Sequence, residues 1–241
     1  MNARSHKQGS SVIVYDADRI AQPGPDLFDP DHWERAGAIT GQAAGRGSAL
    51  LLDTPFGEVV LREYLRGGWP ARVSRDRYFF TGYQRSRPLA EFRILAALAE
   101  RGLPVPRPVA ALCDRLVLFY RGWLMTSLLP NVTPLADMLA ERGGDAALWR
   151  SSGRVIGRFH DAGVVHADLN ARNILVGQDD AIYLIDFDRA RISAGNARAF
   201  SANLARLRRS LEKLWPAAGR ERLDPCWRDL LSGYRSRAES A

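Results

Sequence analysis

Between Val164 and Val176 the chain runs VVHADLNARNILV, placing one histidine, one aspartate and two asparagines between two short apolar runs. A further apolar run, IYLI, leads into a second acidic stretch, IDFD at 185–188. The pattern is H-x-D-x-x-x-x-N followed, after a short hairpin, by D-F-x. Phosphoryl transfer needs these residue types. A carboxylate must orient the attacking hydroxyl and accept its proton, a role open to Asp168, and hard oxygen ligands must hold Mg²⁺, which Asn173 and Asp186 can supply. The apolar runs would pin the three groups on adjacent strands. A plain polar turn would also draw on Asp and Asn. The pairing with IDFD at this separation, just after a helix ending GRFHDAGVV, favours the catalytic assignment. Within the loop, His166 fits a bracing role, and Asn170 is a candidate catalytic helper.

Such a site also needs groups to cradle a nucleotide, and the first half offers them. GQAAGRGS (41–48) is a Gly-rich segment between two strand-like runs, where Gly45, Arg46 and Gly47 can approach phosphates through the backbone. Arg62, in VVLREY, is the only cation in register on the following strand; its plain alternative is a surface position. Glu91 lies in the helical segment LAEFRILAALAERG with Ile94, Leu95 and Leu98 at i+3, i+4 and i+7, so its carboxylate sits at the edge of the apolar stripe. A carboxylate facing inward needs a partner, and Arg62 is the candidate.

The elements that must carry these groups follow from pattern. Residues 1–40, rich in Pro, Gly and Asp, are expected to form an irregular lead-in. Ala49–Leu52 and Val59–Leu61 flank DTPFGE, a hairpin turn signal. The helix containing Glu91 stops at Gly102 and the prolines after it, and RPVAALCDRLVLFYRGWLMTSLL supplies two more strands. Beyond Pro130, helices are expected near Thr133–Arg142, near Ala146–Ala162 and from about Ala199 onward. Strands dominate the first half and helices the second, so the expected architecture is α+β and two-lobed. The N-lobe spans 41–127, with the phosphate loop, sheet and helix; the C-lobe spans 128–241, with the catalytic and metal loops.

Bulk composition is that of a globular protein, 46% hydrophobic and 25% charged. No apolar run is long enough for a transmembrane helix and the start lacks a signal-peptide core. The isolated Cys113 and Cys226 suggest reduced thiols. Lys plus Arg is 34 against 27 acids, net +7, and only Lys7 and Lys213 are lysines. A G+C-rich genome would produce part of that arginine bias. An arginine surface nevertheless suits phosphates, carboxylates or an anionic membrane. Charge alone suggests nucleic acid, but no nucleic-acid motif accompanies it and none is expected as a partner.

With these residues in view, the chain resembles the lipopolysaccharide kinase family, the protein-kinase-like enzymes that phosphorylate 3-deoxy-D-manno-octulosonic acid (Kdo). The resemblance is carried by GRGSA (45–49), VLREYLRGG (60–68), DRYFFTGYQRSRPLAEFRIL (76–95), GLPVPRPVAA (102–111), HADLNARNILV (166–176), LIDFDRARI (184–192) and NLARLRRSLEKL (203–214). It implies a two-lobed kinase-like fold and ATP- and Mg²⁺-dependent phosphorylation of a Kdo hydroxyl, O4 by family preference. The acceptor would be the Kdo-bearing lipid A precursor, met by a peripheral protein at the cytoplasmic face of the inner membrane. Arg62 then stands where kinases carry lysine, and Asp188 replaces a glycine. Arg66, Arg72, Arg85 and Arg87, among the aromatics of 69–83, are candidates for binding substrate phosphates and carboxylate. Leu204, Leu207, Leu211 and Leu214 form a stripe better suited to core packing. Competing expectations are a kinase-like enzyme acting on a small soluble molecule or protein hydroxyl, and a non-catalytic binding module.

Overall fold

The computed structural model describes residues 1–43, 49–65, 77–193 and 195–236. In chain order these form β1 (Ala3–Gln8), β2 (Ser11–Asp16), α1 (Pro30–Arg35), β3 (Ile39–Ala43), β4 (Ala49–Thr54), β5 (Gly57–Glu63), β6 (Tyr78–Phe79), α2 (Arg87–Glu100), β7 (Pro108–Leu116) and β8 (Phe119–Ser127). There follow β9 (Thr133–Pro134), α3 (Leu139–Arg142), α4 (Ala146–Asp161), β10 (Val164–Val165), β11 (Ile174–Val176), β12 (Ile182–Leu184), β13 (Arg191–Ile192), α5 (Ala197–Leu214) and α6 (Leu223–Ser236). Two units divide the chain: Met1–Glu100 with Pro106–Leu128, and Arg101–Val105 with Leu129–Ala241. This is a two-lobed α+β fold of the kinase-like kind.

The first unit is an antiparallel sheet in the order β1-β2-β7-β8-β5-β4-β3, with β6 pairing the first residues of β8. Inward residues such as Ile13, Leu52, Val59, Leu61, Val109, Leu112 and Met125 make one apolar cluster, the expected result of period-2 alternation against a core. α2 lies on β7 and β8, burying Leu89, Phe92, Leu95 and Leu98. A Cβ on Gly122 of β8 would come within 2.6 Å of the Pro88 ring, so glycine is what admits the start of the helix. Residues 1–40 are not the irregular lead-in expected. They contribute the edge strand β1, its neighbour β2, the helix α1 and five core side chains, Ile13, Ile20, Phe28, Trp33 and Ala38. β1 is polar along its length and almost entirely exposed, as edge strands often are, so no apolar pattern announced it.

In the second unit, β9, β11 and β12 form a small antiparallel sheet and β10 pairs β13. A helix was expected near Thr133–Arg142. Instead Thr133 and Pro134 pair with Val176 and Leu175, followed by one 3-10 turn and the four-residue α3. Proline drives its predecessor toward extended backbone, and this favours the strand start. α4 is capped by Asp145, whose carboxylate accepts from the N–H groups of Ala147 and Leu148, each at 3.1 Å. Among the described residues no helix is long and apolar enough to cross a membrane.

α4 and α6 meet at glycines. A Cβ on Gly153 would sit 2.0 Å from the Leu230 carbonyl oxygen, and one on Gly233 would sit 2.0 Å from that of Arg150. The obstacles are backbone, so the helices would have to part. Gly153→Ala is expected to lose about 1–3 kcal/mol of stability. In a chain of this size that lowers the melting temperature by roughly 2–10 °C, although alanine is the better helix former. An unchanged melting curve would show that this close approach does not hold the helices.

Candidate active site

The chemistry-bearing residues of the second unit lie on two loops, 166–173 and 185–190, laced together at both ends. On one side Val164 and Val165 pair with Ile192 and Arg191; on the other Ile174–Val176 pair with Leu184–Ile182. The apolar runs seen in the sequence are these ladders. One more backbone bond, Ile185 N–H to Asn173 C=O at 3.1 Å, brings the residue before Asp186 against Asn173. Asp186 adopts φ 63°, a left-handed conformation that aspartate tolerates better than most residues.

His166 is buried at the centre of this arrangement, 3% exposed. Its Nε2 lies 3.0 Å from the Ile185 carbonyl oxygen, and its Nδ1 accepts the Asp168 N–H at 3.1 Å. Only the neutral ring with the proton on Nε2 satisfies both. Burial holds the imidazole below its ordinary value of 6.5, and a proton on Nδ1 would oppose the Asp168 N–H. Phe187, fully buried, packs against His166 at 4.9 Å between ring centroids and stacks on Phe159 at 5.7 Å.

α5 grips the first loop from outside. Asn203 accepts the His166 N–H at 3.0 Å and donates to the His166 carbonyl at 2.7 Å. Ser210 Oγ accepts the Ala171 N–H at 3.2 Å, and Arg206 reaches Asp168 Oδ1 at 3.3 Å. Asn203, Arg206 and Ser210 recur at i, i+3 and i+7, one face of the helix. None of the three stands out in the sequence beside the leucines, of which Leu207 and Leu211 are buried. The detectable signal was a polar stripe running alongside the apolar one.

Asp168 itself is exposed, with its side chain at 58%. Asn173 Nδ2 donates to the Asp168 carbonyl at 2.9 Å, which fixes the amide and leaves Oδ1 as the atom able to meet a cation. Asn173 and Asp186 therefore offer two adjacent hard oxygen donors, a set that suits Mg²⁺ completed by phosphates and water. Asn170, expected as a catalytic helper, is bound into its own loop. Its Oδ1 accepts the N–H groups of Arg172 and Asn173 at 2.9 and 3.2 Å, and its Nδ2 donates to Asp168 C=O at 3.1 Å. With both ends of the amide bound to the loop backbone, Asn170 shapes the turn.

In the first unit Arg62 and Glu91 are brought together. Glu91, 2% exposed on α2, accepts from Arg62 Nη2 at 2.6 Å and from the Tyr64 hydroxyl. Tyr64 also stacks beneath the Arg62 guanidinium, at 5.0 Å, and was not anticipated. Arg87 lies over the rings of Tyr64 and Tyr78 at 5.4 and 4.8 Å, while Arg85 is exposed; the two are not brought together on a common partner. Gly45, Arg46, Gly47, Arg66 and Arg72 lie outside the described residues.

A two-lobed fold with a carboxylate, an amide and a second carboxylate on paired loops defines a phosphotransferase of the kinase-like class. The chain matches the lipopolysaccharide kinase (Kdo/WaaP) family over residues 30–234, and it belongs to that family. It is 46% identical over 228 residues, 94% of this chain and 90% of the relative, to a 3-deoxy-D-manno-octulosonic acid kinase of Xanthomonas euvesicatoria pv. vesicatoria. It is equally identical, over 86% of its own length and 82% of the relative's, to the enzyme of that name from Stenotrophomonas maltophilia.

Two outcomes follow for stability. Arg62→Met leaves a buried carboxylate short of its cation and is expected to cost about 1.5–3 kcal/mol, the range for hydrogen bonds to charged groups. Arg62→Lys should recover part of that in urea unfolding. For His166, the folded chain takes up the proton less readily than the unfolded one. The stabilisation is therefore complete above about pH 6.5 and is lost as pH falls below it, by up to about 1.4 kcal/mol per pH unit. In metal-free buffer, stability measured from about pH 7 to 5 should fall more steeply for the parent than for His166→Gln; parallel slopes would refute the neutral, buried imidazole.

Proposed function

We propose that this chain is an ATP-dependent kinase that phosphorylates a hydroxyl of Kdo, at O4, on the Kdo-bearing lipid A precursor of lipopolysaccharide. The observation that carries the reading is the paired-loop site, with Asp168 exposed on a loop held by the hydrogen bonds of His166, Asn170 and Asn173, in a chain of the lipopolysaccharide kinase family.

Asp168 accepts hydrogen from the attacking sugar hydroxyl. As the sugar oxygen bonds to the γ-phosphorus, the bond from that phosphorus to the β,γ-bridging oxygen breaks. ADP departs and the proton passes to Asp168. Arg206 holds the carboxylate on Oδ1 and keeps its other oxygen toward the acceptor. Asn173 Oδ1 and Asp186 would hold Mg²⁺, which would supply positive charge to offset that of the phosphates. The Gly-rich segment with Gly45, Arg46 and Gly47 covers the phosphates. Arg62, oriented by Glu91 and Tyr64, supplies the cation usually carried by lysine; an arginine fork keeps that charge at every physiological pH. Arg66, Arg72 and Arg85 meet acceptor phosphates and the Kdo carboxylate. Because the acceptor is anchored by acyl chains, the protein works as a peripheral protein at the cytoplasmic face of the inner membrane.

Incubation with ATP, Mg²⁺ and Kdo-lipid A precursor should add one phosphate to the sugar, located by mass spectrometry and phosphorus NMR. Transfer only to a soluble aminoglycoside or a protein hydroxyl would assign another acceptor. Asp168→Asn should lower kcat by about 100- to 10,000-fold, the span attributed to a positioned base, with its melting temperature near the parent's. Undiminished turnover would remove the base from the scheme.

A further inference from the structure

Six large apolar side chains are markedly exposed among the described residues, and four of them lie in one place: Phe79 at 66%, Leu116 at 36%, Val117 at 79% and Leu118 at 66%. Val117 and Leu118 are the two turn residues between β7 and β8, with Leu116 opposite Phe119 and Phe119 opposite Phe79. Cross-strand partners share a face, so Leu116, Phe119 and Phe79 form an apolar row beneath an apolar tip; the Phe79 and Phe119 rings are 4.9 Å apart. The opposite face carries Tyr78 and Tyr120, both buried.

This turn is costly as a turn. Val117 has φ 55°, a backbone region that disfavours β-branched residues, and the first position of such tight hairpins normally goes to glycine or asparagine. Strain and exposure at the same apolar residues indicate a surface that is covered in use. The two carbonyls of this turn are already paired. The Val117 carbonyl accepts from Arg115 Nε at 3.0 Å and the Leu118 carbonyl from the Phe80 N–H at 2.9 Å. Leaving such groups unsatisfied in hydrocarbon would cost several kcal/mol each.

What surrounds the tip is cationic. Arg77, Arg85 and Arg115 are exposed, with Arg115 seated over the Phe80 ring at 4.8 Å. The neighbouring acid, Asp114, accepts from Ser11 Oγ at 2.7 Å and stands opposite Arg121. An apolar tip collared by arginines and aromatics complements a bilayer with anionic headgroups, apolar groups entering the acyl boundary and guanidiniums meeting phosphate.

We infer that the β7–β8 turn, with Phe79 and Phe119, is a membrane-inserting wedge that seats the protein on anionic phospholipid. The inference rests on the reading that the acceptor lies in a lipid surface and names the element that reaches it.

The test uses the full chain and vesicles of phosphatidylethanolamine with phosphatidylglycerol, with phosphatidylcholine as the uncharged control, in the absence of ATP and acceptor. The parent should sediment with the anionic vesicles and weaken only in part at high salt. Val117→Asn combined with Leu118→Gly supplies residues the turn prefers, so it should fold with an undiminished melting temperature yet bind vesicles about tenfold or more weakly, since burial of two aliphatic side chains is removed. Its turnover of acceptor in vesicles should fall while turnover of a deacylated, water-soluble Kdo saccharide stays at the parent's level. In a second measurement, Leu118→Trp should gain fluorescence quenching by brominated lipid beyond that of the parent's own tryptophans.

A parent that ignores anionic vesicles, a double variant that binds them equally well, or an unquenched Leu118→Trp would overturn the wedge. So would concentration-dependent dimerisation abolished by the double variant with vesicle binding intact, which would make the tip a self-association face. Vesicle binding is read without catalysis, so it can fail while Kdo is phosphorylated, or hold while it is not.

Discussion

The two-point grip of Asn203 on His166 is the contact from which the rest of the site hangs. The segment from His166 to Asn173 has no strand or helix to satisfy its backbone, and buried backbone groups must be paired. Asn203 takes both the N–H and the C=O of His166, so a single side chain stands in for a missing strand. With His166 fixed, its ring carries the constraint on to the Asp168 N–H on one side and the Ile185 carbonyl on the other. The loop bearing Asp168 and the loop bearing Asp186 are thus held by one neutral imidazole. Phe187 and Phe159 keep water from it, which makes each of those bonds costly to break.

The first unit holds its site residue by a buried charge pair, where the second relies on the hydrogen bonds of a neutral imidazole and an amide. Glu91 is buried on α2 and would be expensive there alone. Arg62 and the Tyr64 hydroxyl meet it, and Tyr64 fills the space under the guanidinium. Arginine in place of lysine brings a planar group that can be stacked as well as paired. Tyr64, two residues along the same strand, exploits that second property.

Much of this was legible because the relevant signals are short-range. Two apolar runs bracketing Asp168 and a third leading into Asp186 mark ladders only a few residues long. Glu91 among Ile94, Leu95 and Leu98 marks its own helix face. What stayed hidden depends on long-range partners or carries no apolar pattern. β1 is polar on both faces and forms only because β2 is there to receive it. Asn170 has the same chemistry whether it turns inward to its own loop or outward to a substrate, and only the backbone path decides. Asn203, Arg206 and Ser210 are ordinary surface-type residues, and their spacing acquires meaning only when the catalytic loop lies against that side of α5.

The separation of 37 residues between His166 and Asn203 also has a temporal side. On the ribosome, the loop bearing Asp168 emerges well before the helix that restrains it. A nascent chain that ends before α5 carries Asp168, Asn173, Asp186 and both ladders, but lacks the Asn203 side chain that meets the His166 backbone. Chemical competence therefore arrives late in synthesis, with the docking of α5. In this enzyme the order of translation places catalysis after folding.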